Sequence, residues 1–152
     1  MDCKMKTGFS IAELMIIAAI LGILAAIVLP QFQSNTTEAR EVAARQNIHI
    51  LRAAIELYAA RHNGAPPGYP LDNPSNPPQQ EVVKTHLVGG QYISDLPINP
   101  FNNRPTIRMI ANGADLPLEA SGEYGWIYKP AIKTIRLDWT GSDKTGTRYY
   151  DY

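Results

Sequence analysis

Cysteine is almost missing from this chain: Cys3 is the only one among 152 residues. No disulfide can form within it, so any folded part must hold by packing, or by packing plus a bound ion. An excess of one charge is missing too. The 14 Lys and Arg balance 14 Asp and Glu with no basic run, which gives no footing for a nucleic-acid surface. Catalytic signatures are equally absent: there is no glycine-rich phosphate loop followed by Lys-Ser or Lys-Thr, no His-Glu-x-x-His and no Gly-x-Ser-x-Gly. His49, His62 and His86 are scattered, with no cysteine or acidic cluster at ligand spacing, so they read as solvated or capping residues. No catalytic residue is assigned, and mechanical work would need an external motor.

What the chain does have is one long apolar run. Residues 11–29 are apolar or glycine except for Glu13. At ~1.5 Å per helical residue such a run covers the ~30 Å hydrocarbon core of a bilayer. Lys4 and Lys6, against Asp2 alone, keep the N-terminus cytoplasmic and send the C-terminus across. A cleaved signal peptide shares this charge layout, with Ala25-Ala26 as part of its cleavage site, but its apolar stretch is usually shorter. Glu13 is the oddity, because a carboxylate in the bilayer costs ~2.5–3.5 kcal/mol and calls for a partner. Its i+3 and i+4 neighbours are Ile16 and Ile17, so the spacing points to a cation from another molecule, or to a protonated or interfacial carboxyl.

Gly8-Phe9 followed by Ser10-Ile11-Ala12-Glu13-Leu14, then a long apolar helix and Pro30, resembles the prepilin leader of type IV pilins and type II secretion pseudopilins. The resemblance implies cleavage between Gly8 and Phe9 by a prepilin peptidase and N-methylation of Phe9. It also implies a role for Glu13 in subunit assembly, with the new Phe9 amine of one subunit as counter-ion for Glu13 of the next.

Taken in order, residues 1–8 form a leader, 9–29 a transmembrane or filament-core helix, 30–63 an amphipathic helix half and 64–152 a periplasmic globular domain. Pro30 removes a backbone bond and is expected to kink the helix. Beyond it Ala44, Ile48, Leu51, Ile55 and Tyr58 recur at steps of four and three, while Arg45, His49, Arg52 and Glu56 take other faces. The helix should stop near His62-Asn63-Gly64. Residues 64–78, rich in Pro, Gly and Asn, read as an extended loop rather than a buried element, and residues 81–88 as a short helix. Residues 96–103 carry two prolines and read as an irregular connection. Strands follow at 106–110, 124–129 and 134–139. Tyr124, Trp126 and Tyr128 share one face, as do Ile135, Leu137 and Trp139, and both faces should pack on the amphipathic helix. The expected fold is α+β, a long N-terminal helix packed on a small antiparallel sheet in the pilin manner.

Ala54-Ile55-Glu56-Leu57-Tyr58, His62-Asn63-Gly64 with Pro66-Pro67, Leu96-Pro97 and Asn99-Pro100-Phe101-Asn102-Asn103 are similar to the major pseudopilin family of type II secretion. That family carries an aspartate, a tryptophan and a glycine where Asn99, Phe101 and Asn102 stand here. Its members bind calcium in a C-terminal acidic loop. Here only Asp138, Ser142, Asp143 and Asp151 offer comparable ligands, short of the six to eight oxygens calcium takes, so no cofactor is expected, with calcium as the one candidate. The resemblance implies a structural subunit of a secretion pseudopilus. It would be a helical homopolymer anchored singly in the bacterial inner membrane, its outer domain periplasmic, working with minor pseudopilins and an assembly platform driven by an external ATPase. A type IV pilus subunit, used for adhesion, motility or DNA uptake, and a membrane-anchored binding domain are the alternatives.

Overall fold

The computed structural model describes residues 9–152, and for residues 27–35 the backbone alone. The chain divides into two compact units, one ending at Ala39 and one spanning Arg40–Tyr152. Helix α1 (Ile11–Arg61) supplies the regular structure of the first and the first element of the second.

In the first unit every large apolar side chain from Phe9 to Leu24 is exposed. A helix apolar all round in this way is of the kind that is buried, in a core or in a membrane. Among the described residues no helix is long and apolar enough to cross a membrane. The described side chains of the apolar run stop at Ala26, and residues 27–29, which complete the expected span, lie outside them. So does the side chain of Pro30, where the kink is expected, although the backbone there is helical.

The second unit is built on the inner face of α1. Ala44, Ile48, Leu51, Ile55 and Tyr58, the residues the periodicity singles out, are 3% exposed or less. They meet Val83 and Leu87, from helix α2 (Gln80–Lys84) and the π turn Thr85–Gly89 that continues it. On the other side they meet Trp126, Tyr128, Ile135 and Leu137 of the sheet. Each fully buried side chain of this size contributes roughly 1.5–3 kcal/mol. α1 ends as expected: Asn63 (φ 53°) and Gly64 (φ 86°) turn left-handed, and the Gly64 amide donates back to the Ala59 carbonyl at 2.8 Å.

The sheet has three strands, β1 (Ile107–Met109), β2 (Trp126–Lys129) and β3 (Thr134–Leu137), in the order β1-β2-β3. β2 and β3 pair antiparallel, Trp126 opposite Leu137. β1 and β2 pair parallel, Ile107 opposite Trp126, so the sheet is mixed and not purely antiparallel as expected. The reason lies in residues 110–125, a connection long enough for a crossover, which a parallel pair requires. That connection also buries the back of the sheet. Ile127, the outward residue of β2 by alternation, packs with Ile110 and Tyr150 in a second small core beside Leu116 and Ala120. Residues 64–78 depart from expectation as well, because Pro66, Pro67, Gly68 and Tyr69 are buried beneath the loop's exposed part.

Backbones cross closely at Gly125. Its carbonyl accepts from the Asn99 side chain at 3.1 Å and its amide donates to the Thr106 carbonyl at 2.9 Å. A Cβ there would lie 2.0 Å from the Arg104 carbonyl oxygen, a backbone atom with no rotamer to yield. Gly125→Ala should therefore lower stability by the upper end of the ~1–3 kcal/mol typical of overpacking. Urea titration followed by tryptophan fluorescence measures this, and an unchanged midpoint would contradict the packing described.

Candidate functional site

Helix α1 starts with a reciprocal cap. The Ser10 hydroxyl accepts from the Ala12 amide at 3.3 Å, and the Glu13 carboxylate accepts from the Ser10 amide at 2.8 Å. This is a form of the Ser-x-x-Glu capping box in which the hydroxyl takes the second helical amide and not the third, and it places an anion at the positive end of the helix. Glu13 thus has a partner inside its own chain, three residues before it and not three or four after. The spacing Ser10-x-x-Glu13 was the signal that could have revealed it. Phe9 is 70% exposed, and its amide nitrogen is one peptide unit from the amide that Glu13 accepts. Gly8, the other half of the expected cleavage site, lies outside the described residues.

The three aspartates considered for calcium are each engaged with a different part of the chain. Asp138 is fully buried and accepts from the Ser121 amide (2.6 Å), the Ser121 hydroxyl (2.8 Å), the Gly122 amide (3.0 Å) and the Tyr124 amide (2.9 Å). Asp151 pairs with Arg136 at 3.0 Å and with Arg148 at 2.7 Å. Asp143 accepts from the Thr145 amide and hydroxyl and from the Thr147 amide on one oxygen. Its other oxygen takes Arg45 of α1 at 2.5 Å and the Tyr152 hydroxyl at 2.9 Å. Among the described residues no group of three or more His, Cys, Asp or Glu is placed to hold a metal ion.

Arg45 therefore does more than solvate an outer face. Its guanidinium lies 4.3 Å from the centre of the Tyr152 ring while it binds Asp143. Arg52 donates to the carbonyls of Ile135 and Tyr152, and the Tyr149 hydroxyl donates to Glu41 at 2.9 Å. Three charged residues of α1 thereby clamp the last turn of the chain. The Thr145 hydroxyl, foremost among its donors, holds the Asp143 carboxyl down at about 2. A carboxyl depressed on folding stabilises the fold above its unfolded value, near 3.9, and loses that contribution as pH falls through the folded one. Acidification from pH 4 to pH 2 should release the last turn from α1, read as loss of the near-ultraviolet tyrosine signal. Asp143→Asn should show no such step in that window.

No family model matches the chain, and no solved structure matches it. Over 115 residues it is 31% identical to the type II secretion system core protein G of Pseudomonas aeruginosa, covering 68% of this chain and 73% of that protein. The chain belongs to the type II secretion system core protein G family. The corresponding protein of Aeromonas hydrophila is 32% identical over 104 residues, again 68% and 73% of the two chains. The type IV major pilin protein PilE of Neisseria gonorrhoeae is 27% identical over 151 residues, 93% of this chain and 86% of the pilin. The secretion-type assignment expected from the sequence is thus the family shown, and the pilins are its relatives.

Proposed function

We propose that the chain is a structural subunit of a type II secretion pseudopilus, with no catalytic activity of its own. What carries this reading is membership of the core protein G family together with an opening helix that is apolar all round and headed by one capped carboxylate. In this reading a prepilin peptidase cuts between Gly8 and Phe9 and Phe9 is N-methylated. The subunit waits in the inner membrane with its second unit in the periplasm. It is then stacked head-to-tail with further copies, by a contact that does not close on itself, so a helical polymer grows. Minor pseudopilins, an assembly platform and an external ATPase are the other partners. The free Phe9 amine of one copy neutralises Glu13 of its neighbour, and a kink at Pro30 would fit the helix to that packing. No calcium is included in this reading, and its support is that Arg45 supplies a positive charge beside Asp143.

Mass spectrometry of the chain recovered from membranes containing a prepilin peptidase tests this. The expected product lacks residues 1–8 and carries one added methyl group on Phe9. A chain still beginning at Met1 would overturn the reading in favour of an anchored domain that does not polymerise.

A further inference from the structure

One cluster of titratable side chains in the second unit is used by nothing described so far. Asp72 closes the turn Pro70–Asp72, and both Leu71 (φ 58°) and Asp72 (φ 53°) are left-handed, a backbone state that is costly for a leucine. Leu71 is held 94% exposed. The anchor behind it is the Asp72 carboxylate. One oxygen accepts from the Tyr58 hydroxyl at 2.7 Å, the other meets Nδ1 of His62 at 2.8 Å. The Tyr58 ring is stacked between two imidazoles, His62 at 3.9 Å and His86 at 4.8 Å between ring centres.

His86 is the member with two possible partners. Its Nδ1 stands 3.5 Å from the Gly68 amide nitrogen, a donor, and 3.7 Å from an Asp72 oxygen, an acceptor. A bare Nδ1 can only accept and a protonated one can only donate, so the ring cannot satisfy both at once. We propose that His86 is a proton-operated latch on the loop that presents Leu71: neutral, it holds the Gly68 amide, and protonated, it releases that amide and binds Asp72.

The groups facing His86 are known from each side. α1 contributes Tyr58 and His62, and the loop contributes Asp72. Tyr92 stands 3.4 Å from the far nitrogen of His62, with Arg61 over its ring, and the segment of His86 itself adds only the exposed Glu81 and Lys84. Burial lowers the His86 pKa, Asp72 opposes that and His62 reinforces it. A histidine lowered on folding stabilises the fold above its unfolded value, near 6.5, and progressively less as pH falls below it. The latch therefore operates in mild acid.

Movement at Gly68 has somewhere to go. Its carbonyl accepts from the Gln79 amide at 2.9 Å, and a Cβ on it would lie 2.9 Å from the Val83 side chain. The residue is wedged against the start of α2, so re-seating its amide shifts the short stretch that ends in Leu71. An exposed apolar side chain would thus change position with acidity, whatever it meets. The inference does not depend on the chain being a filament subunit.

Nuclear magnetic resonance of the full-length, isotope-labelled chain in detergent micelles, titrated from pH 7.5 to 5.0, tests it. At pH 7.5 the His86 ring should carry its proton on Nε2 only. On acidification the His86 ring, the Gly68 amide and the Leu71 methyls should shift together, with one midpoint below 6.5. His86→Gln should abolish the Gly68 step, and His62→Gln should move its midpoint upward by removing a like charge. A neutral His86 protonated on Nδ1, a Gly68 amide that does not titrate, or a step surviving in His86→Gln would each overturn the proposal. Should His86→Gln fail to fold, the ring tautomer of the unaltered chain decides by itself.

Discussion

On the proposed function, Glu13→Leu is expected to leave the chain inserted in the membrane and to remove its filaments. Insertion should improve, because a carboxylate at bilayer depth costs ~2.5–3.5 kcal/mol that leucine does not. Assembly should fail in that reading because a Phe9 amine freed by the proposed cleavage would be buried among apolar helices with no anion beside it. Removing one partner of such a pair typically costs 2–5 kcal/mol, roughly 30-fold to several thousand-fold in each subunit's association. The cap complicates this comparison, since Glu13 also accepts from the Ser10 amide at 2.8 Å and leucine removes that bond too. Glu13→Gln separates the two effects: glutamine keeps an acceptor for Ser10 and loses the charge. If charge neutralisation drives assembly, electron microscopy should find neither variant polymerised. Filaments from Glu13→Gln alone would assign the role to the cap, and normal filaments from Glu13→Leu would discard the pairing altogether.

Asp138→Ala should be among the most damaging single substitutions in the second unit, at about 3–5 kcal/mol, a large share of the ~5–15 kcal/mol typical of a domain. The side chain is fully buried, and its two oxygens take three backbone amides and one hydroxyl from the stretch Ser121–Tyr124. Each donor left without an acceptor costs ~1–3 kcal/mol, reduced where water can reach it, as it can at the exposed Ser121. The damage would spread, because the Asp138 amide donates to Gly125 and the Asn102 side chain donates to the Gly122 and Tyr124 carbonyls. Asp138→Asn should cost less, since one oxygen remains and the Ser121 hydroxyl can turn to accept. Chemical denaturation of the three chains gives the order directly. Equal stability of Asp138→Ala and the unaltered chain would show that the loop is not held as described.

These two sites differ in how visible they are in the sequence. Glu13 stands out as a lone charge in an apolar run, while the bond it accepts from the Ser10 amide is visible only in the Ser10-x-x-Glu13 spacing. In the sequence Asp138 is one of a few scattered oxygens, and its use as an acceptor for residues 121–124 follows from the assembled sheet. Arg45 carried no signal beyond its position on an outer helical face.

The amino-acid sequence by itself determined what depends on near neighbours. The apolar run, the buried stripe Ala44-Ile48-Leu51-Ile55-Tyr58, the turn at Asn63-Gly64 and the irregular stretch around Asn99 all rest on helical period, backbone restriction and contacts within a few residues. Tertiary structure decided the rest. The parallel pairing of β1 with β2, the burial of Ile127 behind the sheet and the Arg45–Asp143 bond, which joins residues 98 apart, required distant stretches to meet. Local propensities carry no term for such meetings. They are selected by which closure of the chain buries both faces of β2 and leaves each buried carboxylate with donors.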